Sequence, residues 1–190
     1  MINIDVDREL PQEHYALIEK YNHKLRQSLV QNLQTIKDPR EKIISLREFF
    51  AKDFDYDYEA LFTPHGMEWR EFVIDGQRYQ SQSIQIPNAL PPALYLTKVG
   101  RCGIFSDEVD HMFYENDINY RCMNKASPCL NIYKRELTNI GHRYSQAEIE
   151  INKKTKQINV DICALIFERD AKAQNIDIDY SKFKEFNTQF

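Results

Sequence analysis

Residues 100–116 read GRCGIFSDEVDHMFYEN, and the reading of this stretch decides the fold. Its apolar positions Phe105, Val109, Met112 and Phe113 recur at steps of three and four, the period of a helix with one buried face. A glycine-led turn at Gly100 therefore delivers Cys102 to the first turn of a helix. Unpaired backbone N–H groups and the positive end of the helix dipole favour a thiolate there, which makes the sulfur a competent nucleophile at neutral pH. Taken alone, a free cysteine is more often a small buried hydrophobe. The catalytic reading of Cys102 depends on what the rest of the chain brings to it.

On the N-terminal side the pattern is helical. Between Gln12 and Ile36 the residues Ile18, Tyr21, Leu25, Leu29, Leu33 and Ile36 mark a long amphipathic helix. Asp38-Pro39-Arg40-Glu41 then supplies an N-cap, a proline at the first helical position and an early acid, so a second helix starts there. Its face is Ile43, Leu46, Phe49 and Phe50, and it ends near Asp53. The following DFDYDYE reads as a capped turn into a loop with a solvated, tyrosine-anchored surface. Thr63-Pro64-His65-Gly66 reads as a turn, and residues 72–79 as a hairpin closed by Asp75-Gly76. Pro87, Pro91 and Pro92 bracket a loop-like approach to Gly100, a place for a cleft wall or lid.

On the C-terminal side the pattern becomes β. Ile118 to Met123, Cys129 to Lys134, His142 to Ile151 and Gln157 to Cys163 are short β-rich runs separated by polar turns. Along the third run Ala147, Ile149 and Ile151 share one face, while His142, Tyr144, Gln146 and Glu148 share the other. A four-residue hairpin loop at Asn152 to Thr155 places Asp161 opposite Gln146 and on the face of His142. An odd-length loop without a bulge separates the two residues. Tyr180, Phe183 and Phe186 mark a short C-terminal helix that docks on the core or covers the cleft, with docking favoured.

Composition bounds the class of function. The chain has 190 residues, of which 42% are hydrophobic and 12% aromatic, enough for one cored domain with or without an appended arm. Its net charge of -4 and the absence of a basic cluster argue against nucleic acid or an anionic membrane as partner. No apolar run is long enough for a membrane span, and the start MINIDVDRELPQ has neither a basic nor an apolar leader region. The expectation is a cytoplasmic, reducing location. Cys102, Cys122, Cys129 and Cys163 show neither CxxC nor zinc-ligand spacing, so neither a redox pair nor a structural metal site is expected, although an even count leaves disulfides open.

Cys102 at a helix start, His142 on one strand and Asp161 on the next are the nucleophile, base and orienting carboxylate of acyl transfer through a thioester. Backbone N–H groups at the helix start, Cys102's own among them, are the expected oxyanion donors. Trp69, Gln82 and Gln85 are candidates for a second donor, and Tyr144 for substrate contact. His14, His23 and His65 read as exposed or local. His111 lies about 13 Å along the helix from Cys102 by helical rise, too far to be its base.

The run Gly100-Arg101-Cys102-Gly103-Ile104-Phe105-Ser106, then His142 with Tyr144 two residues on, then Asp161 after a β-run, resembles the transglutaminase-like superfamily of papain-type cysteine enzymes. The helix Glu41 to Lys52 leading into Asp55-Tyr56-Asp57 is similar to the family's N-terminal helix and aromatic-acidic turn. Ile162-Cys163 departs from the proline or threonine the family often carries after its Asp. The resemblance spans Pro39 to Cys163 and implies an α+β papain-like core, with the cysteine helix packed on an antiparallel sheet and the triad Cys102, His142 and Asp161. It divides the single domain into a helical arm (1–38), a core (39–165) and a tail (166–190). It implies a cysteine peptidase or amidase acting on a peptide or protein through peptide, isopeptide or carboxamide bonds, without a cofactor. The alternatives are amine transfer of the transglutaminase or acyltransferase kind, and a catalytically silent protein-binding module.

Overall fold

Asp38, Asp57 and Asp161 each begin a helix of this chain by accepting a backbone N–H that the first turn leaves unpaired. The computed structural model describes residues 1–4, 11–63, 69–82 and 94–187. In chain order the elements are β1 (Ile2–Ile4), α1 (Gln12–Thr35), α2 (Pro39–Asp53), β2 (Asp55–Tyr56), α3 (Tyr58–Phe62), β3 (Trp69–Ile74), β4 (Gln77–Gln82), α4 (Leu94–Thr97), β5 (Val99–Gly100), α5 (Cys102–Glu115), β6 (Asn119–Asn131), β7 (Glu136–Ile151), β8 (Lys154–Val160), α6 (Ile162–Ala173) and α7 (Ser181–Lys184). The class is α+β, with helices and antiparallel sheet. No helix among the described residues is long and apolar enough to cross a membrane.

The chain divides into two compact units, Met1–Leu29 with Asp57–Gly100, and Val30–Tyr56 with Arg101–Phe190. In the first unit β3 and β4 form the hairpin expected at Asp75-Gly76, whose φ angles of 49° and 80° are those of a tight turn with both central residues left-handed. Phe72 and Tyr79 face each other across it with ring planes 8° apart. With Ile18 and Ile74 they make this unit's buried cluster. Tyr79 O–H also meets His14 Nδ1 at 3.0 Å.

The second unit holds the sheet β6-β7-β8, with α5 and α6 packed against it and α2 against α6. Asp38 caps α2 by accepting the Arg40 N–H at 2.9 Å, with Pro39 at the first helical position as expected. Phe50 is fully buried and stacks edge-on to Phe105 of α5 at 5.9 Å; a ring of this size contributes roughly 1.5–3 kcal/mol by leaving water. Arg169 of α6 closes the far end of α2, donating from Nη1 to the Ala51 and Phe54 carbonyls at 2.8 Å and from Nη2 to Asp55.

Four sequence expectations are corrected here. The residues DFDYDYE are not a solvated loop: Phe54, Tyr56, Asp57 and Tyr58 are buried, Tyr56 packs on Phe167 at 4.7 Å, and Asp57 caps α3. The two runs Ile118 to Met123 and Cys129 to Lys134 are one strand, β6, which ends at Asn131. β6 is a sheet edge, a position where a proline such as Pro128 is tolerated. The β7–β8 loop has two residues rather than four, because Asn152 and Lys153 both take positive φ (53° and 61°) and Ile151 pairs with Lys154. Asp161 and Cys163 lie beyond β8, at the cap and in the first turn of α6. The turn at Pro64 to Gly66 and the loop of Pro87, Pro91 and Pro92 lie outside the described residues.

Candidate active site

Cys102 is the first residue of α5, with Arg101 as N-cap in extended conformation. The apolar face predicted for this helix, Phe105, Val109, Met112 and Phe113, is buried. The helix is tied to β7, where Ser145 Oγ donates to the Ser106 carbonyl at 3.2 Å. Arg143 of β7 also reaches α5, pairing with Asp107 at 2.5 Å. These links hold the start of the cysteine helix beside His142.

His142 and Asp161 form the polar centre of the site. His142 Nε2 lies 2.6 Å from Asp161 Oδ2, and the two side chains are only 1% and 2% exposed. The two-residue β7–β8 turn explains this approach. Ser145 pairs with Val160, so continuing the register brings Asp161 opposite Tyr144, the next residue along the face from His142. Shortening the loop by two preserved the parity of the faces and moved Asp161 one pleat closer. The same carboxylate begins α6, its Oδ1 accepting the Ala164 N–H at 3.2 Å. One oxygen is fixed by the helix and the other is aimed at the imidazole.

With Nε2 engaged, Nδ1 is the ring nitrogen left for a thiol. It is buried and makes no formed hydrogen bond among the described residues. The half-buried Cys102 thiol interacts electrostatically with the imidazole. Burial alone would raise the Cys102 pKa, but the imidazole and the backbone N–H groups of Arg143 and Gly103 outweigh it and hold the thiol below its usual range. Burial likewise opposes a charged His142, yet the Asp161 charge and hydrogen bond, with a smaller share from Cys102, push its pKa up to about 10. The physical result is a cysteine inclined to lose a proton beside a histidine inclined to hold one.

Of the remaining sequence candidates, Tyr144 belongs to the same unit as Cys102, and Trp69 and Gln82 to the other. Tyr144 is buried against the ring of His142, 6.2 Å away and nearly parallel, and that of Phe186, 5.5 Å away and perpendicular. It also lines, with Cys102, Ser106 and Cys163, a crevice too narrow for a water molecule. Trp69 and Gln82 belong to the first unit, where they pair at the open end of the β3–β4 hairpin. Gln85 and His65 lie outside the described residues. His23 and His111 are exposed.

Cys163 approaches the site from α6. Its thiol, His142 and Asp161 offer ligand atoms within 4.8 Å of one another, a donor set that a metal could use. Both Asp161 oxygens are already occupied, by the His142 ring and the Ala164 N–H, and burial drives the Cys163 pKa well up. His142, Asp161 and the Ala164 N–H thus form a closed hydrogen-bonded cluster, with the Cys163 thiol buried beside it. All four cysteines are free thiols.

Sequence reasoning missed the C-terminal contacts of this site. Phe186 stands edge-on to His142 at 6.4 Å, and Asn187 bonds to the backbone of Asp161. The three-residue aromatic spacing flagged the tail, but nothing in it says where the tail lands. In comparison with known proteins, no family model matches this chain and no curated protein matches it.

Proposed function

We propose that this chain is a cysteine hydrolase, a peptidase or amidase with a papain-like core of the transglutaminase-like kind. The observation that carries this reading is the buried 2.6 Å contact between His142 Nε2 and Asp161 Oδ2 beside a thiol at the start of a helix. The remaining steps follow from ordinary acyl-transfer chemistry. The Cys102 thiolate attacks the carbonyl carbon of an amide, and the oxyanion that forms is held by first-turn N–H groups of α5, including that of Cys102. The His142 imidazolium gives its proton to the leaving amine as the C–N bond breaks, leaving a thioester on Cys102. Water then attacks the thioester, passing its proton to His142, and the carboxylic acid departs as the thiol is restored. Asp161 fixes the ring orientation and favours its charged form throughout.

The substrate class is a peptide or protein bearing an accessible amide. The test is intact-mass spectrometry of the protein after mixing with a panel of peptide amides and activated peptide esters. The expected result is a transient acyl adduct mapped to Cys102, followed by release of the free acid, with neither seen in Cys102→Ala. A primary amine added in excess diverts the acyl group to a new amide if transfer competes with hydrolysis. No Cys102-dependent adduct or turnover across the panel would overturn the enzymatic reading and leave a silent binding module.

A further inference from the structure

The last described residues of the chain make a set of contacts with the site that packing alone does not require. β8 is an outer strand of its sheet, so the backbone beyond Val160 has no neighbour strand on one side. The tail fills that position: Asn187 makes an isolated antiparallel bridge with Val160. Its carboxamide then does for Asp161 what a paired strand residue would do. Asn187 Oδ1 accepts the Asp161 N–H at 3.2 Å, and Asn187 Nδ2 donates to the Asp161 carbonyl at 3.0 Å. Both partners are buried. Phe186, also buried, lies across the rings of His142 and Tyr144.

We propose that residues 185–187 form a positioning strap: Asn187 fixes the backbone of Asp161, and Phe186 keeps water from the His142–Asp161 hydrogen bond. This rests on the cysteine-hydrolase reading above and extends it to the part of the chain that sets the geometry of its base. An unshielded hydrogen bond between an imidazole and a carboxylate competes with water, whereas in a dry site the same bond is stronger and more directional. The outer latch of the strap is weaker. Lys125, the cross-strand partner of His142, pairs with Glu185 and lies over the Phe186 ring at 5.8 Å. Both charged groups of that pair are at least half exposed, so it contributes little, and the hold comes from Asn187 and Phe186. The titratable and charged groups around His142 are Asp161 and Cys163 from the start of α6, Cys102 from α5, Tyr144 from its own strand, and the Lys125–Glu185 pair at the strap.

The test is the pH profile of Cys102 alkylation by iodoacetamide in Asn187→Asp, Phe186→Ala and Phe186→Leu. Asn187→Asp keeps the size and the accepting oxygen but removes the donor; Phe186→Leu keeps an apolar cover if the alanine variant fails to fold. The strap predicts that the acid-side midpoint of Cys102 moves up toward that of an ordinary thiol in Asn187→Asp and Phe186→Ala, and that the rate at pH 7 falls about three- to tenfold, the effect of losing one buried hydrogen bond. Phe186→Leu falls between them and the native protein, and Cys129 and Cys163 stay protected in every folded variant. Variants that melt earlier but keep the native profile would overturn the strap, because they would show a merely structural tail. His142→Ala separates the two readings. If it alone changes the profile, the strap fails and the triad stands; if it changes nothing, both fail.

Discussion

Asp161→Asn asks one side chain to satisfy two partners with mismatched chemistry. The carboxylate presents two acceptors, Oδ1 to the Ala164 N–H at 3.2 Å and Oδ2 to His142 Nε2 at 2.6 Å. A carboxamide has one acceptor and one donor. With its oxygen left at the cap of α6, its NH2 faces Nε2, which must then accept, so the ring proton sits on Nδ1 and that nitrogen can no longer take the thiol proton. With the amide flipped, Nε2–H is satisfied but the NH2 meets the Ala164 N–H donor to donor. The cap is then lost at about 1 kcal/mol, with about 1–3 kcal/mol more for buried donors left unpaired. Either orientation also removes the charge that pushes the His142 pKa up to about 10. Without it the imidazole returns to about 6.5 or lower, so at pH 7.5 about a tenth or fewer of the rings stay charged, where nearly all did before. The assay is long-range proton–nitrogen NMR of the His142 ring together with urea unfolding. Native His142 is expected to remain doubly protonated through pH 8, and Asp161→Asn to show one neutral tautomer by pH 7.5 with a lowered unfolding midpoint. A variant whose His142 titrates as in the native protein would refute the reasoning.

Three further outcomes are expected. Because the folded-state pKa of His142 is raised, its contribution to stability is complete below its ordinary value of about 6.5 and disappears as pH rises through about 10. Urea midpoints measured in Cys102→Ala, which removes the opposite contribution of the thiol, therefore decline over that window, and a flat profile speaks against the buried pair. Iodoacetamide applied to the native protein labels Cys102 quickly and the exposed Cys122 at an ordinary rate, while the buried Cys129 and Cys163, whose pKa values burial raises, react only after unfolding; early labelling of Cys163 would contradict the closed cluster. Phe50→Ala, which empties a fully buried site beside Phe54 and Phe105, costs about 3–5 kcal/mol in urea unfolding, and a loss below about 1 kcal/mol would show that this packing is not as described.

Local signals in the sequence were legible wherever one residue type has one physical use. Asp38-Pro39 starts α2 and Asp75-Gly76 turns the β3–β4 hairpin because capping oxygens and positive φ angles restrict the choices. The apolar spacing of Phe105, Val109, Met112 and Phe113 gave α5 its buried face and Cys102 its place in the first turn. The faces of His142 and Asp161 were readable because strand parity survives an even change in loop length; the loop length itself was misread because Lys153 is an unusual residue at positive φ. The burial of Tyr56 and Asp57 was hidden, since an acid-rich aromatic run is compatible with either side of a surface until its partners, such as Phe167, are known. The strap was illegible for a related reason. Asn187 and Phe186 act on residues far away in sequence, and no periodicity encodes which sheet edge a tail will cover.

The central claim is that Cys102 is a nucleophile held ready by His142. Its most direct measurement is the rate of iodoacetamide alkylation at Cys102 against pH, resolved cysteine by cysteine by mass spectrometry, in the native protein and in His142→Ala. The account predicts fast labelling of Cys102 well below pH 8 in the native protein, and a return to ordinary thiol behaviour, half-ionised near pH 8.5, when the imidazole is removed. Identical profiles in the two proteins, or a native Cys102 no faster than Cys122, would contradict it.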